Sequence, residues 1–293
     1  MLRLVGFVAG RRHHVGLLSS DGKTIGDLTS LNPSLFSSFN SIVHAAETRG
    51  TPVEVLIKDG IKRQEPSKLA ISTVEQTIPL RPGEVWGAGW TYSKVPGHGV
   101  TEKSRGIPYG APSSGRPELF FKTTALRCVG PGGTVGIRSD SSRTVPEPEL
   151  GVVLASNGDV VGFTVTNDVS AKDIQAESPL FLSQGKTFTN CCAIGPCVAT
   201  PEEVPNPANL LIKMKIIRND TVAFEGKAST TQMVVSPTSL TYYLMKDNRL
   251  PTSTVLMTGT GIPLPDDFAL CGKDIVEIEI EKIGVLRNIV ETL

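Results

Sequence analysis

The chain lacks net charge: Lys plus Arg number 29 and Asp plus Glu number 29. Without a field of one sign it has little to draw it to nucleic acid or to an anionic membrane. No apolar run approaches the ~20 residues that a membrane span needs. The opening stretch, residues 1–12, does not read as a signal peptide, because its apolar part is short, broken by Arg3, and followed rather than preceded by Arg11-Arg12. Cysteine is scarce and odd in number, five in all, with Cys191 and Cys192 adjacent, which argues against a disulfide framework. Cys191-Cys192 with Cys197 also lacks zinc-knuckle spacing. Cys192 and Cys197 therefore read as core residues, and the expected compartment is the reducing cytoplasm. Missing too are a Walker glycine-lysine loop, a G-x-G-x-x-G after a strand, and a nucleophile elbow. There is no internal repeat.

What is present is a chain of 293 residues, 39% hydrophobic, ample for a buried core in one large domain or two modest ones. The pattern divides at Pro79-Leu80-Arg81-Pro82-Gly83, a linker signal. Residues 1–79 read as a small α+β domain. Its strands are 2–8 and 15–18, followed by a turn at Ser20-Asp21-Gly22, and 53–57 reads as a further short strand. Its helix is capped by Asn32, with Pro33 at the first position and Gly50 at the end. His44 should lie on the solvated side of that helix. Residues 84–293 read as mostly strands: 84–87, 118–122, 192–199, 210–217, 255–258 and 275–283. Ser236-Pro237 begins a helix, and Ser170 with Asp173 resembles a capping box.

The most informative segment is 147–168. Asn157-Gly158 is a strong hairpin signal, and a two-residue turn there would pair Ser156 with Asp159. Counting outward, Glu147 faces Asp168 and Glu149 faces Thr166. Residues two apart share a strand face, as do directly opposed partners. Glu147, Glu149 and Asp168 would then project from one face with neighbouring Cβ atoms roughly 4.5–5.5 Å apart. That face otherwise carries Gly151, Val153, Gly162, Thr164 and Thr166, small and uncharged, like a pocket floor. Three like charges so close invite a divalent cation, and an all-oxygen site suits Mg²⁺, Mn²⁺ or Ca²⁺. The alternative is a solvated acidic face.

Other residues leave two readings open. Lys186 is either a solvated lysine or a group that binds a substrate carboxylate or moves a proton. Glu118 either starts an exposed strand or aims into a cleft. His98 and Glu102, in a glycine- and proline-rich loop over 89–115, are an acid/base pair or simply exposed, and the loop composition favours exposure. Thr258-Gly259-Thr260-Gly261 either presents backbone amides to an anion or is a tight turn.

Read together, these segments resemble the fumarylacetoacetate hydrolase superfamily. The residues that carry the likeness are 116–122 (RPELFFK), 129–132 (VGPG), 146–150 (PEPEL), 162–170 (GFTVTNDVS), Lys186, 193–196 (AIGP) and 258–260 (TGT). The resemblance implies a β-rich mixed roll, here with a small N-terminal α+β domain, around a Mg²⁺ held by Glu147, Glu149 and Asp168. It implies a small 2-oxo acid or acylpyruvate substrate and a homodimer or homotetramer. Residues 84–89 (EVWGAG), 176–180 (AESPL) and 190–193 (NCCA) are similar to the branch that dehydrates 2-keto-3-deoxy-pentonates to 2-oxoglutarate semialdehyde. By that similarity Glu118 and Lys186 are catalytic, and Lys122, Asn190, Gly259 and Thr260 bind substrate. A lysine beside a dication should have its ammonium form disfavoured. The alternative activity is C–C bond hydrolysis or decarboxylation of acylpyruvate, fumarylacetoacetate or oxaloacetate type. The hydrolytic members use a His-x-x-Glu pair, and here His98 and Glu102 are one residue too far apart.

Overall fold

In the computed structural model, which describes residues 2–93 and 116–293, strands dominate, and the site residues come from strands and the segments beside them and from two short helices. One twelve-stranded mixed sheet runs through both segments of the chain. From one edge its order is Ser67–Ala70, Thr24–Asp27, Arg12–Leu18, Arg3–Ala9, Cys192–Ala199, Val160–Asp168, Pro148–Leu154, Thr254–Met257, Val85–Gly89 and Glu118–Thr123. Glu75–Thr77 joins on Arg3–Ala9, and Cys128–Val129 lies parallel to Cys192–Ala199. A second sheet of five strands, Thr221–Ser229, Leu211–Arg218, Ile275–Ile280, Gly284–Thr292 and Thr134–Ile137, packs on the first. The buried apolar residues of both sheets and of the N-terminal helices form one continuous cluster. Among the described residues no helix is long and apolar enough to cross a membrane.

The central hairpin reaches the expected register by a different route. Pro148 faces Asn167 and Glu149 faces Thr166, and the Asp168 amide donates to the Glu147 carbonyl at 2.9 Å. The tip is not a two-residue turn, however. Ala155 N donates to Asp159 O and Gly158 N to Ala155 O, with Gly158 at φ 88°, so three residues make the loop. That longer loop pairs Leu154 with Val160, and a bulge at Val161 restores the pairing of Val153 with Gly162. A glycine in the left-handed region is what the three-residue hairpin loop requires. The two departures cancel before the carboxylates are reached.

Three local expectations are corrected. Residues 53–57 are not a strand but the start of the helix Val53–Arg63. Val53, Leu56 and Ile57 are buried while Val55 is exposed, a spacing of three to four that a five-residue window misread as a β-branched run. Gly60 lets this helix close on Phe36, since a methyl there would stand 2.7 Å from the ring. Asn32 ends the short helix Leu28–Leu31, and the longer helix Phe39–Arg49 begins seven residues later, its Ser38 hydroxyl accepting from Ser41 N. Gly50 closes it at φ 60°, and His44 is exposed. Ser170 caps nothing: the Lys172–Glu177 helix starts from Ala171 with no side-chain cap.

The N-terminal segment carries its own buried polar group. Asp27, 3% exposed, accepts from Ser30 N and the Ser30 hydroxyl, and lies 2.9 Å from His14 Nδ1. Burial pushes its carboxyl up, but the Ser30 hydrogen bonds and His14 outweigh this and hold it below the usual range. A carboxylate with a depressed folded pKa contributes stability above its unfolded value, about 3.9, and that contribution is lost as pH falls through the lower folded value. Asp27→Asn is therefore expected to lower stability at pH 7 by about 1–3 kcal/mol and to flatten the acid limb of the stability curve. Chemical denaturation at several pH values checks both.

Candidate metal and catalytic centre

Glu147, Glu149 and Asp168 bring one oxygen each to within 4.8 Å of one another, all three buried. The hairpin puts them there, with Glu147 and Glu149 two apart on one strand and Asp168 opposite Glu147. Buried carboxylates need counter-charge or donors, and two of the three have both. Asp168 is flanked by Lys122 Nζ at 2.6 Å and Lys186 Nζ at 2.5 Å. Glu147 accepts from Lys172 Nζ at 2.7 Å, from Lys186 Nζ at 2.6 Å and from the Ser170 hydroxyl at 2.7 Å. The neighbouring lysines overcome burial and hold Glu147 well below the usual carboxylate range.

Glu149 is the exception. Among the described residues no lysine lies within ion-pair distance of it, and its Oε2 accepts from Gly259 N at 2.6 Å. Burial and then the charges of Asp168 and Glu147 push its carboxyl well above the usual range. A cluster with one unmatched, like-charge-strained carboxylate fits a hard dication, which would relieve that repulsion through oxygen ligands alone.

Lys186 lies inside the cluster. Its ammonium touches Glu147, Asp168 and the Ser170 hydroxyl (2.8 Å) and sits 4.9 Å from the centre of the Phe120 ring. Burial alone would lower its pKa, but the carboxylates of Asp168, Glu147 and Glu149 reverse the sign and raise it. Without a cation three anions surround the amine and favour its ammonium, whereas the expected disfavouring concerns the lysine beside a dication.

Alternation along Glu118–Thr123 lays Glu118, Phe120 and Lys122 on one face. Lys122 is fully buried, its ammonium directed at Asp168 Oδ1 and at Val169 O (2.8 Å). Phe120 lies against Lys186, and Glu118 stands at the end of the row. The Glu118 carboxyl sits over Gly89, where an added methyl would come within 3.1 Å of Oε2. Burial raises its pKa, and no cation adjoins it among the described residues.

The remaining sequence candidates divide. Gly259, at φ 91°, supplies the amide to Glu149, and any side chain there would meet the Thr91 hydroxyl. Thr260 beside it is half-buried, its hydroxyl accepting from Ile262 N. Asn190 is not brought to the cluster: at φ 55° its backbone carbonyl accepts from Gly136 N and its side-chain Nδ2 donates to Thr134 Oγ1 at 3.5 Å. His98 and Glu102 lie outside the described residues. Ser170 and Lys172 were missed, although Asp168, Ser170 and Lys172 follow the same alternation that picked out Glu147 and Glu149.

Fold and site together define a β-rich roll built around an all-carboxylate cation site. The chain belongs to the fumarylacetoacetate hydrolase family: residues 84–291 match the family model described as Fumarylacetoacetate (FAA) hydrolase C-terminal. It is 44% identical over 228 residues, 74% of each chain, to 2-dehydro-3-deoxy-D-arabinonate dehydratase of Saccharolobus solfataricus. It is 38% identical, over 98% of each chain, to a Haloferax volcanii protein named "Probable 2-keto-3-deoxyxylonate dehydratase". A solved structure of 2-keto-3-deoxy-D-arabinonate dehydratase complexed with magnesium and 2,5-dioxopentanoate is 36% identical, covers 100% of this chain and 99% of its own, and superposes with a TM-score of 0.79.

The charge balance has measurable consequences. Lys122→Met leaves Asp168 without one of its two buried counter-ions and should cost about 3–5 kcal/mol in chemical denaturation. Glu149 has a raised folded pKa, so its ionised form opposes folding above its ordinary value and the penalty fades as pH falls. In chelator-treated protein at pH 7, Glu149→Gln should therefore raise the thermal midpoint, and it should abolish the further rise that added Mg²⁺ gives the parent protein.

Proposed function

We propose that this protein is a Mg²⁺-dependent hydro-lyase of 2-keto-3-deoxy-pentonates, releasing water to give 2-oxoglutarate semialdehyde (2,5-dioxopentanoate). The observation that carries the reading is the buried Glu147–Glu149–Asp168 cluster with Lys186 inside it, in a chain 44% identical to an arabinonate dehydratase. Glu147, Glu149 and Asp168 would hold the cation. Bound there, Mg²⁺ supplies Lewis acidity toward the 2-oxo acid and stabilises negative charge at its 2-oxo oxygen when C3 loses a proton.

The chain's own residues supply the proton traffic. The C3 proton goes to one group and the C4 hydroxyl leaves as water with a proton from another, giving the 5-hydroxy-2-oxo-3-ene acid; loss of a C5 proton, return of a proton to C3 and tautomerisation of the resulting enol, with the O5 proton lost and C4 protonated, then give the semialdehyde. Glu118 fits the acid: burial favours its protonated form, and no cation adjoins it among the described residues. Lys186 fits the base, since among the described residues it is the one side-chain nitrogen in contact with the carboxylates of both Glu147 and Asp168. The surrounding carboxylates hold it charged, so it must release a proton before it accepts one. Lys122 is read as a positioning residue, fixing Asp168 from behind. Gly259 fixes Glu149 in the same manner. Thr260 and Asn190 remain substrate-binding proposals, with Thr260 the better placed, next to the Glu149-binding amide.

We read residues 84–293 as the catalytic domain, with residues 1–79 a smaller domain that extends its sheet. The protein is read as cytoplasmic, in keeping with its free thiols. A homodimer or homotetramer would cover exposed apolar side chains such as Leu126 and Leu180, 83% and 85% exposed, and light scattering after gel filtration tests it.

The decisive assay supplies 2-keto-3-deoxy-arabinonate or -xylonate with Mg²⁺ and couples the product to a semialdehyde dehydrogenase, following NAD(P)H. Absence of signal across pentonate and hexonate analogues would overturn the reading. Glu118→Gln should lower kcat by roughly 10²–10⁴-fold. In the parent protein kcat should fall as pH rises through the elevated Glu118 pKa, because the acid form is the active one. The variant should lose that descending limb.

A further inference from the structure

Tyr92 carries a polar atom that the architecture leaves without a partner. The residue is 8% exposed, and its hydroxyl is fully buried with no hydrogen bond among the described residues. Buried hydroxyls nearly always find a partner, and an exception asks for a reason. Position supplies one. Thr91 Oγ1 donates to Thr258 O at 2.6 Å, and Gly259 N donates to Glu149 Oε2 at 2.6 Å. The Tyr92 ring covers Gly261, where a methyl would stand 2.7 Å from the ring carbons. Its backbone is pinned on the other side by a bridge to Met233. The phenol is thus held rigidly over the Thr258–Gly261 turn, the same turn whose amide fixes Glu149. Burial, and then the charge of Glu149, push its pKa up, so the group stays a protonated donor at neutral pH.

We propose that Tyr92 is a substrate ligand, its O–H donating a hydrogen bond to an oxygen at the 2-oxo acid end of the substrate. A donor held over the turn whose amide binds Glu149 lies close to where the cation site would draw the substrate's carboxylate and 2-oxo oxygens. An orphaned donor waiting for an acceptor also gives specificity, since a ligand lacking that oxygen leaves the phenol buried and unpaired. The role is binding and orientation, and the phenol exchanges no proton with the substrate. The inference rests on the 2-oxo acid reading of the site.

The test is Tyr92→Phe, which keeps the ring against Gly261 and removes one oxygen. Parent and variant are compared in thermal midpoint, in Mg²⁺ affinity by calorimetry, and in kcat and KM with 2-keto-3-deoxy-arabinonate or -xylonate. A substrate-binding phenol gives a KM increase of about tenfold or more, kcat within a few-fold of the parent, and unchanged Mg²⁺ affinity. The thermal midpoint should be equal or higher, because no hydrogen bond among the described residues is lost. Unchanged KM overturns the inference. So does a variant that fails to fold or loses several degrees with unchanged KM, since the hydroxyl would then be structural. An inactive parent protein instead overturns the dehydratase reading, so the two failures are separate.

Discussion

The interaction on which this molecule depends is the pairing of buried acids with buried lysines around Asp168. Isolated, any one of these charges would cost several kcal/mol to bury. Asp168 is held between Lys122 and Lys186, and Glu147 between Lys186 and Lys172. Each pair draws a separate strand or helix toward the hairpin. Lys122 comes from the edge strand Glu118–Thr123, Lys172 opens the helix after Asp168, and Lys186 closes Leu182–Lys186. The counter-ions therefore fix the geometry of the elements as well as neutralising charge. Glu149 stands outside that balance, held by an amide and repelled by two anions. Stability and cation affinity are thus set by the same electrostatics with opposite sign.

Much of this was legible in the sequence because period two is insensitive to how a hairpin turns. Placing Asn157-Gly158 at the tip and alternating outward sufficed to put Glu147, Glu149 and Asp168 on one face. The wrong loop length did no harm, since the bulge at Val161 absorbed the extra loop residue. A bulge of this kind has no strong sequence signal: Val161 looks like any β-branched strand residue. Had the bulge been absent, a one-residue slip would have turned Asp168 away from Glu147 and the site would not exist.

What was not legible depended on partners distant in sequence. Ser170 looked like a helix cap because Asp173 follows three residues later, yet Asp173 binds Ser141 and Ser142 instead. Only the return of the 144–145 strand beside 170–171 makes Ser170 a donor to Glu147. Lys122 entered as a substrate residue only through the family resemblance, and no local feature of its sequence marks it as a buried counter-ion of Asp168. Its full burial is visible only once the Cys192–Ala199 strand and Val169 surround it. Residues 53–57 failed for a local reason: five residues are fewer than two helical turns, too short to separate a period of two from one of 3.6.

Lys186 joins the charge balance of the cluster to its chemistry. Its ammonium rests on Glu147 Oε2 and Asp168 Oδ2, carboxylates that a cation in this cluster would also engage. The lysine and a dication therefore compete for the same negative charge. Whatever charge the dication draws from Glu147 and Asp168 is withdrawn from the amine, whose high proton affinity comes from those two carboxylates and Glu149. The arrangement that makes the lysine a poor base in isolation is the one through which cation binding changes its proton affinity. A lysine on the solvated surface, away from these carboxylates, would have no such coupling. The buried placement of Lys186 thus links filling the site to the proton affinity of its amine.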